Sequence, residues 1–167
     1  MFRREFTPNS SLYVLLGWLV KRTSGRREKK MAEDNPFVGR WTYRSFRNDP
    51  ELSTEFNELR FGAGTLELDE PDYGRLSGSL GGEDWNLDLV GGYTYGNPFA
   101  LRFQGSGDIG GERWVYDYVG YLVPIWPNGI DQRAAIVGSV IRTVPHSNGQ
   151  ARAGYVASFI AVKQVQG

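Results

Sequence analysis

The sequence contains no cysteine and only one histidine, His146. Without cysteine, the chain has no disulfide, no thiolate nucleophile and no cysteine-ligated metal. A single histidine cannot form a metal site built from several imidazoles, so we predict neither a metal nor a cofactor. The missing cysteine fits a reducing compartment and predicts a cytoplasmic protein, while secretion stays open because secreted bacterial proteins also commonly lack cysteine.

The chain also lacks the short motifs that carry catalytic chemistry. It has no G-x-S-x-G nucleophile elbow and no phosphate-binding glycine loop in front of a helix. The stretch GSGDIG at residues 105–110 matches G-x-G-x-x-G, but it lies between two predicted strands and no helix follows it. The sequence therefore names no catalytic residue, and the catalytic set is unknown.

Neither positive nor negative charge is in excess, because the chain has 19 basic and 19 acidic side chains. Residues 1–30 nevertheless carry eight basic and two acidic groups, which leaves 11 basic and 17 acidic groups on residues 31–167. An acidic body repels phosphate backbones, so we predict no nucleic-acid partner.

One apolar run, Leu12–Val20, lies within the basic region. A helix of this length, at about 1.5 Å per residue, is far shorter than a hydrocarbon core of about 30 Å, which predicts no transmembrane span. We predict a basic N-terminal extension over 1–36, either helical or disordered, and a barrel domain over 37–167. In one interpretation Met31 is the start and the preceding residues are a leader; in another the apolar run is a lid or an interfacial helix.

The remaining chain is rich in glycine (22 residues) and in aromatic residues (9 Phe, 9 Tyr and 5 Trp), which is typical of all-β folds. Alternating segments are separated by short turns containing Gly, Asn and Pro. The predicted strands are Phe37–Phe46, Leu59–Phe61 and Leu66–Leu68 (a hairpin or one bulged strand), Arg75–Leu80, Trp85–Tyr93, Phe99–Gly105, Arg113–Val123, Gln132–Val144 and Arg152–Lys163. Short links predict sequential antiparallel pairing and closure into an eight-stranded up-and-down β-barrel, with an open sandwich as the alternative.

Gly39, Arg40 and Trp41 open the first predicted strand. This triplet resembles the G-x-W signature of the avidin/lipocalin (calycin) β-barrels, and the closing segments Ala134–Thr143 and Gly154–Lys163 are similar in spacing to the last hairpin of avidins. The resemblance implies that Trp41 is the barrel-closing residue. It also implies that a late basic residue, Arg142 or Lys163, stacks on the indole ring.

The resemblance does not extend to the biotin contacts. Tyr43 stands where avidins place an Asn that binds the ureido oxygen, and Ile136–Ile141 is aliphatic where avidins supply a Trp. The region 156–158 lacks the polar residue of their final strand. Because a ureido group would be desolvated there without partners, we predict a ligand other than biotin.

Aromatic residues concentrate in one late strand, where alternation places Trp114, Tyr116 and Tyr118 on one face. We predict that they line the barrel mouth and bind a flat hydrophobic or aromatic small molecule. Two alternatives stay open, since the rings could fill the core or form an exposed interaction patch. The predicted ligand-binding set is Tyr43, Trp85, Tyr93, Phe103, Trp114, Tyr116, Tyr118 and Arg142.

The alternative function is a cofactor-free barrel enzyme of the cyclase, isomerase or dehydratase type. It requires an inward carboxylate, Asp88 or Asp117, paired with a Tyr or an Arg. A polar residue between apolar neighbours on a strand more often lies on the outer face. We therefore favour an outward position, over an inward one, for Asp88, Arg102, Gln104, Asp117 and Arg142. His146 is expected to be a solvated loop residue, with an acid or base at the barrel rim as the alternative.

A third hypothesis is assembly through an outer strand face. The apolar stretches Ile136–Ile141 and Tyr155–Val162 would form the interface of a homodimer or a tetramer, as the barrel-to-barrel face does in avidins.

Overall fold

Eight strands follow one another along the chain, and each pairs antiparallel with its sequence neighbours until the last returns to the first. The structure is a computed structural model that describes residues 35–165. The strands are β1 (Gly39–Arg47), β2 (Arg60–Asp69), β3 (Arg75–Gly81), β4 (Asn86–Thr94), β5 (Ala100–Ile109), β6 (Glu112–Leu122), β7 (Ala135–Arg142) and β8 (Val156–Lys163). The predicted all-β, eight-stranded antiparallel barrel is confirmed, and the open sandwich is not formed.

The predictions for the N-terminal extension, including the run Leu12–Val20 and the start at Met31, lie outside the described residues. The division at residue 36 stays a prediction. Across residues 35–165, no helix has both the length and the apolar character needed to cross a bilayer.

Alternation along the strands separates the barrel interior from its surface. In β4, for example, Leu87 and Leu89 are buried while Asp88 and Val90 are exposed. The same period of two holds in β8, where Ala157, Phe159 and Ala161 are buried. One face of each strand therefore builds a continuous core, and the other face meets solvent.

The link between β5 and β6 shows how the sequence enforces tight pairing. Gly110 and Gly111 both adopt positive φ, 59° and 82°, and they connect the paired residues Ile109 and Glu112. Two successive positive φ angles form the turn that matches the right-handed twist of a hairpin, and glycine adopts them without strain.

One end of the barrel, called here the plugged end, is filled by Trp41 and Phe37, which are both fully buried. The indole Nε1 of Trp41 donates a hydrogen bond to the Phe37 carbonyl at 2.9 Å. The Nζ of Lys163 lies 5.2 Å from the centroid of the Trp41 ring, and burial lowers the pKa of this amine. Of the two basic candidates, Lys163 therefore lies over the indole, and Arg142 lies at the opposite end of β7.

Across the middle of the barrel lies a layer of rings, called here the aromatic floor, formed by Tyr43, Phe103, Tyr118 and Phe159. Phe103 stacks on Tyr118 with centroids 4.6 Å apart, and Tyr43 lies 5.5 Å from Phe159. Gly120 makes room for this layer, because a Cβ there would lie only 2.9 Å from the Phe159 ring. The floor separates the plugged end from the other end of the barrel, called here the open end.

The two short segments predicted around residues 59–68 form a single strand with a bulge. Ser45 pairs with Gly62 while the next residue, Phe46, pairs with Arg60, so Phe61 is the extra residue of β2. A bulge turns the side chain of its extra residue away from strict alternation. Phe61 thereby joins the side chains at the open end.

Candidate functional site

A cavity of about 260 Å³ lies at the open end, above the aromatic floor. It stays hollow because β1 and β2 present small residues here, Ser45 and Gly62, whose hydroxyl and carbonyl oxygens lie 3.3 Å apart in a hydrogen bond. The lining side chains come from β1, β2, β4, β6 and β7 and from the links before β4 and after β7: Tyr43, Ser45, Phe61, Trp85, Leu87, Trp114, Tyr116, Tyr118, Val140, Arg142 and His146.

Most of the predicted ligand-binding residues meet at this cavity. The residues that line it are Tyr43, Trp85, Trp114, Tyr116, Tyr118 and Arg142. The shared inward face of Trp114, Tyr116 and Tyr118 follows from the alternation of β6. The cavity therefore has an aromatic wall, and two phenols of the floor form its base.

Two predicted residues, Phe103 and Tyr93, lie elsewhere. Phe103 is buried within the aromatic floor, beneath the cavity. Tyr93 points inward at the plugged end, with its ring 5.9 Å from Phe37 and its hydroxyl bonded to the Glu70 carboxylate. Both face the barrel interior, as alternation predicts, but the stagger of the strands puts them at another depth along the axis.

The expectation that His146 is a solvated loop residue is wrong. Its side chain is only 6% exposed, and its ring stacks on Trp114 with centroids 4.0 Å apart and planes 16° apart. The loop between β7 and β8 folds back over the open end, and the backbones of His146 and Ala151 bond to each other. The only histidine of the sequence is therefore buried in the cavity wall and not exposed to solvent.

Glu112 fixes the position of this loop. Its carboxylate accepts hydrogen bonds from the backbone N–H groups of Ser147 and of Asn148, the latter at 3.0 Å. Ser147 and Asn148 have positive φ angles of 55° and 54°, so the turn bends sharply just after His146. No local sequence signal links Glu112 to a turn more than thirty residues away, which is why sequence reasoning missed the contact.

Tyr116 connects His146 to Arg142. The Tyr116 hydroxyl lies 2.7 Å from Nε2 of His146, and Nε of Arg142 donates to the same hydroxyl at 3.3 Å. A guanidinium can only donate, so the hydroxyl accepts from Arg142, and we assign the hydroxyl proton to the bond with His146. We therefore assign the neutral tautomer with hydrogen on Nδ1, which donates to the Ser147 hydroxyl at 2.9 Å.

The wall of the cavity carries a single charged side chain. Burial, followed by the positive charge of Arg142, lowers the pKa of His146, while Glu112 opposes the shift. Burial raises the pKa values of the Tyr43 and Tyr118 phenols above their ordinary value. At neutral pH, Arg142 is thus surrounded by uncharged groups.

Aromatic rings hold the Arg142 guanidinium in place. Its central carbon lies 5.4 Å from the ring centroids of both Phe61 and Tyr155, and 5.8 Å from that of Tyr116. Its Nη1 donates to the Arg152 carbonyl at 3.2 Å. Within the described part of the chain, ion pairs join Arg40 to Glu67 and Arg113 to Asp108, and neither includes Arg142.

The carboxylates of the alternative enzyme hypothesis face outward. Asp88 is exposed on β4, and Asp117 accepts a hydrogen bond from Gln104 at 2.9 Å on the outer surface. Arg102 is exposed as well. Only Arg142 of the five polar candidates lines the cavity. Among residues 35–165, no cluster of three metal-ligating side chains is present.

Comparison with known protein families, with curated proteins and with solved structures finds no match for the chain. The function is therefore inferred from the geometry of the cavity at the open end.

Proposed function

We propose that the barrel binds a flat hydrophobic or aromatic small molecule in the cavity at its open end. The observation that supports this is a hollow of about 260 Å³ walled by Phe61, Trp85, Trp114 and Tyr116. Pockets for drug-sized ligands measure about 300–1,000 Å³. The occupant we propose is correspondingly small, with one or two fused rings.

The arrangement of the rings favours a ligand site over simple core filling. The aromatic floor already closes the barrel, with Tyr118 only 3% exposed. The rings above it instead surround an empty volume, and Trp114, which stacks on His146, lines that volume. Flat ligands fit such walls because ring faces and edges pair favourably at these separations.

We further propose kinship with avidin- and lipocalin-type barrels, without biotin binding. The G-x-W triplet and the Lys163–Trp41 contact support the kinship. Tyr43 forms part of the cavity base in place of the avidin Asn, so the amide group that avidins direct at the ureido oxygen is replaced by a bulkier phenol.

Calorimetric titration of the full chain tests the proposal. The probes are three matched pairs of a carboxylic acid and its amide: benzoate and benzamide, 1-naphthoate and 1-naphthamide, and 2-naphthoate and 2-naphthamide. Biotin is the comparison compound. We expect saturable binding of at least one aromatic probe and none of biotin. Failure of all six aromatic compounds to bind would contradict the proposed function.

Matched tryptophan variants locate the binding. Trp114→Ala removes one wall of the cavity, whereas Trp126→Ala changes an indole that is 76% exposed in the link between β6 and β7. We expect the first substitution to weaken probe binding about tenfold or more, as loss of a stacked ring does, and the second to leave it unchanged.

A further inference from the structure

Resting on the proposed function, we propose that the ligand is an aromatic anion, a carboxylate or a phenolate. In this proposal Arg142 pairs with the charged oxygen, and His146 takes up a proton when the anion binds. A cation that is withdrawn from water is costly unless an opposite charge pairs with it. Arg142 is half-buried among three rings and has no carboxylate partner in the described structure, so the missing partner is assigned to the ligand.

The donors that Arg142 offers suit an anionic oxygen. A guanidinium has five N–H groups in a planar fork, of which Nε bonds to Tyr116 and Nη1 to Arg152. Contacts with Phe61 and Tyr155 hold the fork in one orientation. The remaining N–H groups are therefore preorganised, and binding an anion requires little further loss of side-chain freedom.

No acidic group competes for this cation inside the cavity. The wall is formed by aromatic, aliphatic and small side chains together with His146 and Arg142. The acidic group that acts on His146 is Glu112, and its two oxygens already accept backbone hydrogen bonds from the loop. An incoming anion thus meets one positive charge and no negative charge on the wall.

The hydrogen bonds around Tyr116 couple anion binding to a proton. In the neutral tautomer assigned above, the Tyr116 hydroxyl donates to Nε2 of His146, 2.7 Å away. When His146 is protonated, Nε2 becomes a donor to the same oxygen, and the hydroxyl proton is released from that bond. The Tyr116 O–H can then donate to the ligand. Protonation therefore adds a second positive charge and a new donor beside the anion.

The charged groups that act on His146 are Arg142 from β7 and Glu112 from β6. A bound anion neutralises the effect of Arg142 and so favours the imidazolium. By thermodynamic reciprocity, protonation of His146 strengthens anion binding by the same factor.

The first test compares 1-naphthoate with 1-naphthamide, which share shape but differ in charge. At about pH 7, we expect the full chain to bind the acid tenfold or more tightly than the amide, because hydrogen bonds to a charged group are the stronger kind. Equal or tighter binding of the amide would overturn the proposal while leaving the proposed function standing. Failure of every aromatic probe would instead remove the proposed function itself.

Variants assign the preference to Arg142. Arg142→Gln is expected to abolish the difference between acid and amide while the amide still binds, and Arg142→Lys to restore part of it. Arg44→Gln is the matched control, because Arg44 is exposed on the outer face of β1. A preference for the acid that survives in Arg142→Gln would overturn the assignment.

Proton uptake provides a measurement that needs no Arg142 variant. Titration of wild-type protein with 1-naphthoate at about pH 6, in two buffers of different ionisation enthalpy, gives the number of protons bound with the ligand. The ligand carboxyl is ionised there, since such groups titrate near pH 4. We expect net uptake in the wild type and none in His146→Gln. Binding of naphthoate without proton uptake would overturn the coupling to His146.

Discussion

The Tyr116 hydroxyl lies 2.7 Å from Nε2 of His146 and accepts a hydrogen bond from Nε of Arg142 at 3.3 Å. This single oxygen joins β6, the end of β7 and the loop that folds over the open end. Because both neighbours are polar groups on a wall of mostly aromatic and aliphatic side chains, the hydroxyl orders the site and also supports the fold around it.

Replacing Tyr116 with Phe should therefore destabilise the protein. The change leaves Nε2 of His146, in a side chain that is 6% exposed, without its hydrogen-bond donor. We expect the free energy of unfolding, measured with urea at neutral pH, to fall by about 1–3 kcal/mol. Tyr121→Phe is the control, because Tyr121 is on the outer face of the same strand and 47% exposed. Equal effects of the two substitutions would show that the Tyr116 hydroxyl contributes nothing to stability.

The stability of the barrel should also depend on pH through His146. Its pKa is lowered in the folded protein, so the unfolded chain binds the proton more readily. Stability from this group is present above the ordinary histidine pKa of about 6.5 and is lost as pH falls through the lower folded value. Urea unfolding of wild type and His146→Gln between about pH 5 and pH 8 measures the difference. We expect a shallower loss of stability at low pH in the variant, and parallel curves would contradict the prediction.

The plugged end should contribute much more to stability than an exposed ring does. Trp41 is fully buried, bonded to the Phe37 carbonyl and covered by Lys163, whereas Trp126 is largely exposed. We expect Trp41→Ala to cost about 3–5 kcal/mol of unfolding free energy and Trp126→Ala to cost less than about 0.5 kcal/mol. Circular dichroism during urea unfolding measures both. A small cost at Trp41 would mean that the barrel is closed by other residues.

The fold was predictable because its determinants are local. Short Gly-containing turns require consecutive strands to pair, and a period of two decides which side chains face inward. Leu87 and Leu89 alternate with Asp88, and Trp114, Tyr116 and Tyr118 share one face for this reason. These patterns predict consecutive antiparallel strands and the residues that share a face, whereas the pairing in the structure decides that residues 60–69 form one bulged strand and that the sheet closes.

The depth of each residue along the barrel axis was not predictable in this way. It depends on the stagger between strands, which long-range pairing sets. Tyr93 therefore lies beside Phe37 instead of at the cavity, and Phe103 lies in the floor. Phe61 reaches the open end only because of a bulge opposite Ser45 and Phe46, and alternation alone gives no sign of it.

His146 was misplaced for a related reason. A lone histidine after Pro145, next to a Ser-Asn-Gly turn, has the local sequence of an exposed loop. Its burial depends on the distant Glu112 and on stacking with Trp114. The same loop carries Tyr155, one of the rings around Arg142. The position of this loop therefore determines the site, and the carboxylate that fixes it can be tested directly.

Glu112→Gln should loosen the loop and change the ionisation of His146. In the wild type, both carboxylate oxygens of Glu112 accept a backbone hydrogen bond. The glutamine amide keeps one of these acceptors, but its NH₂ group replaces the other and opposes a backbone N–H, which is also a donor. We expect faster amide hydrogen exchange over residues 143–155. We also expect a further lowering of the His146 pKa, measured by NMR titration, because the negative charge of Glu112 now raises it. Glu83→Gln, in the exposed link between β3 and β4, should change neither quantity. An unchanged His146 pKa together with unchanged exchange in Glu112→Gln would show that other contacts hold the loop over the cavity.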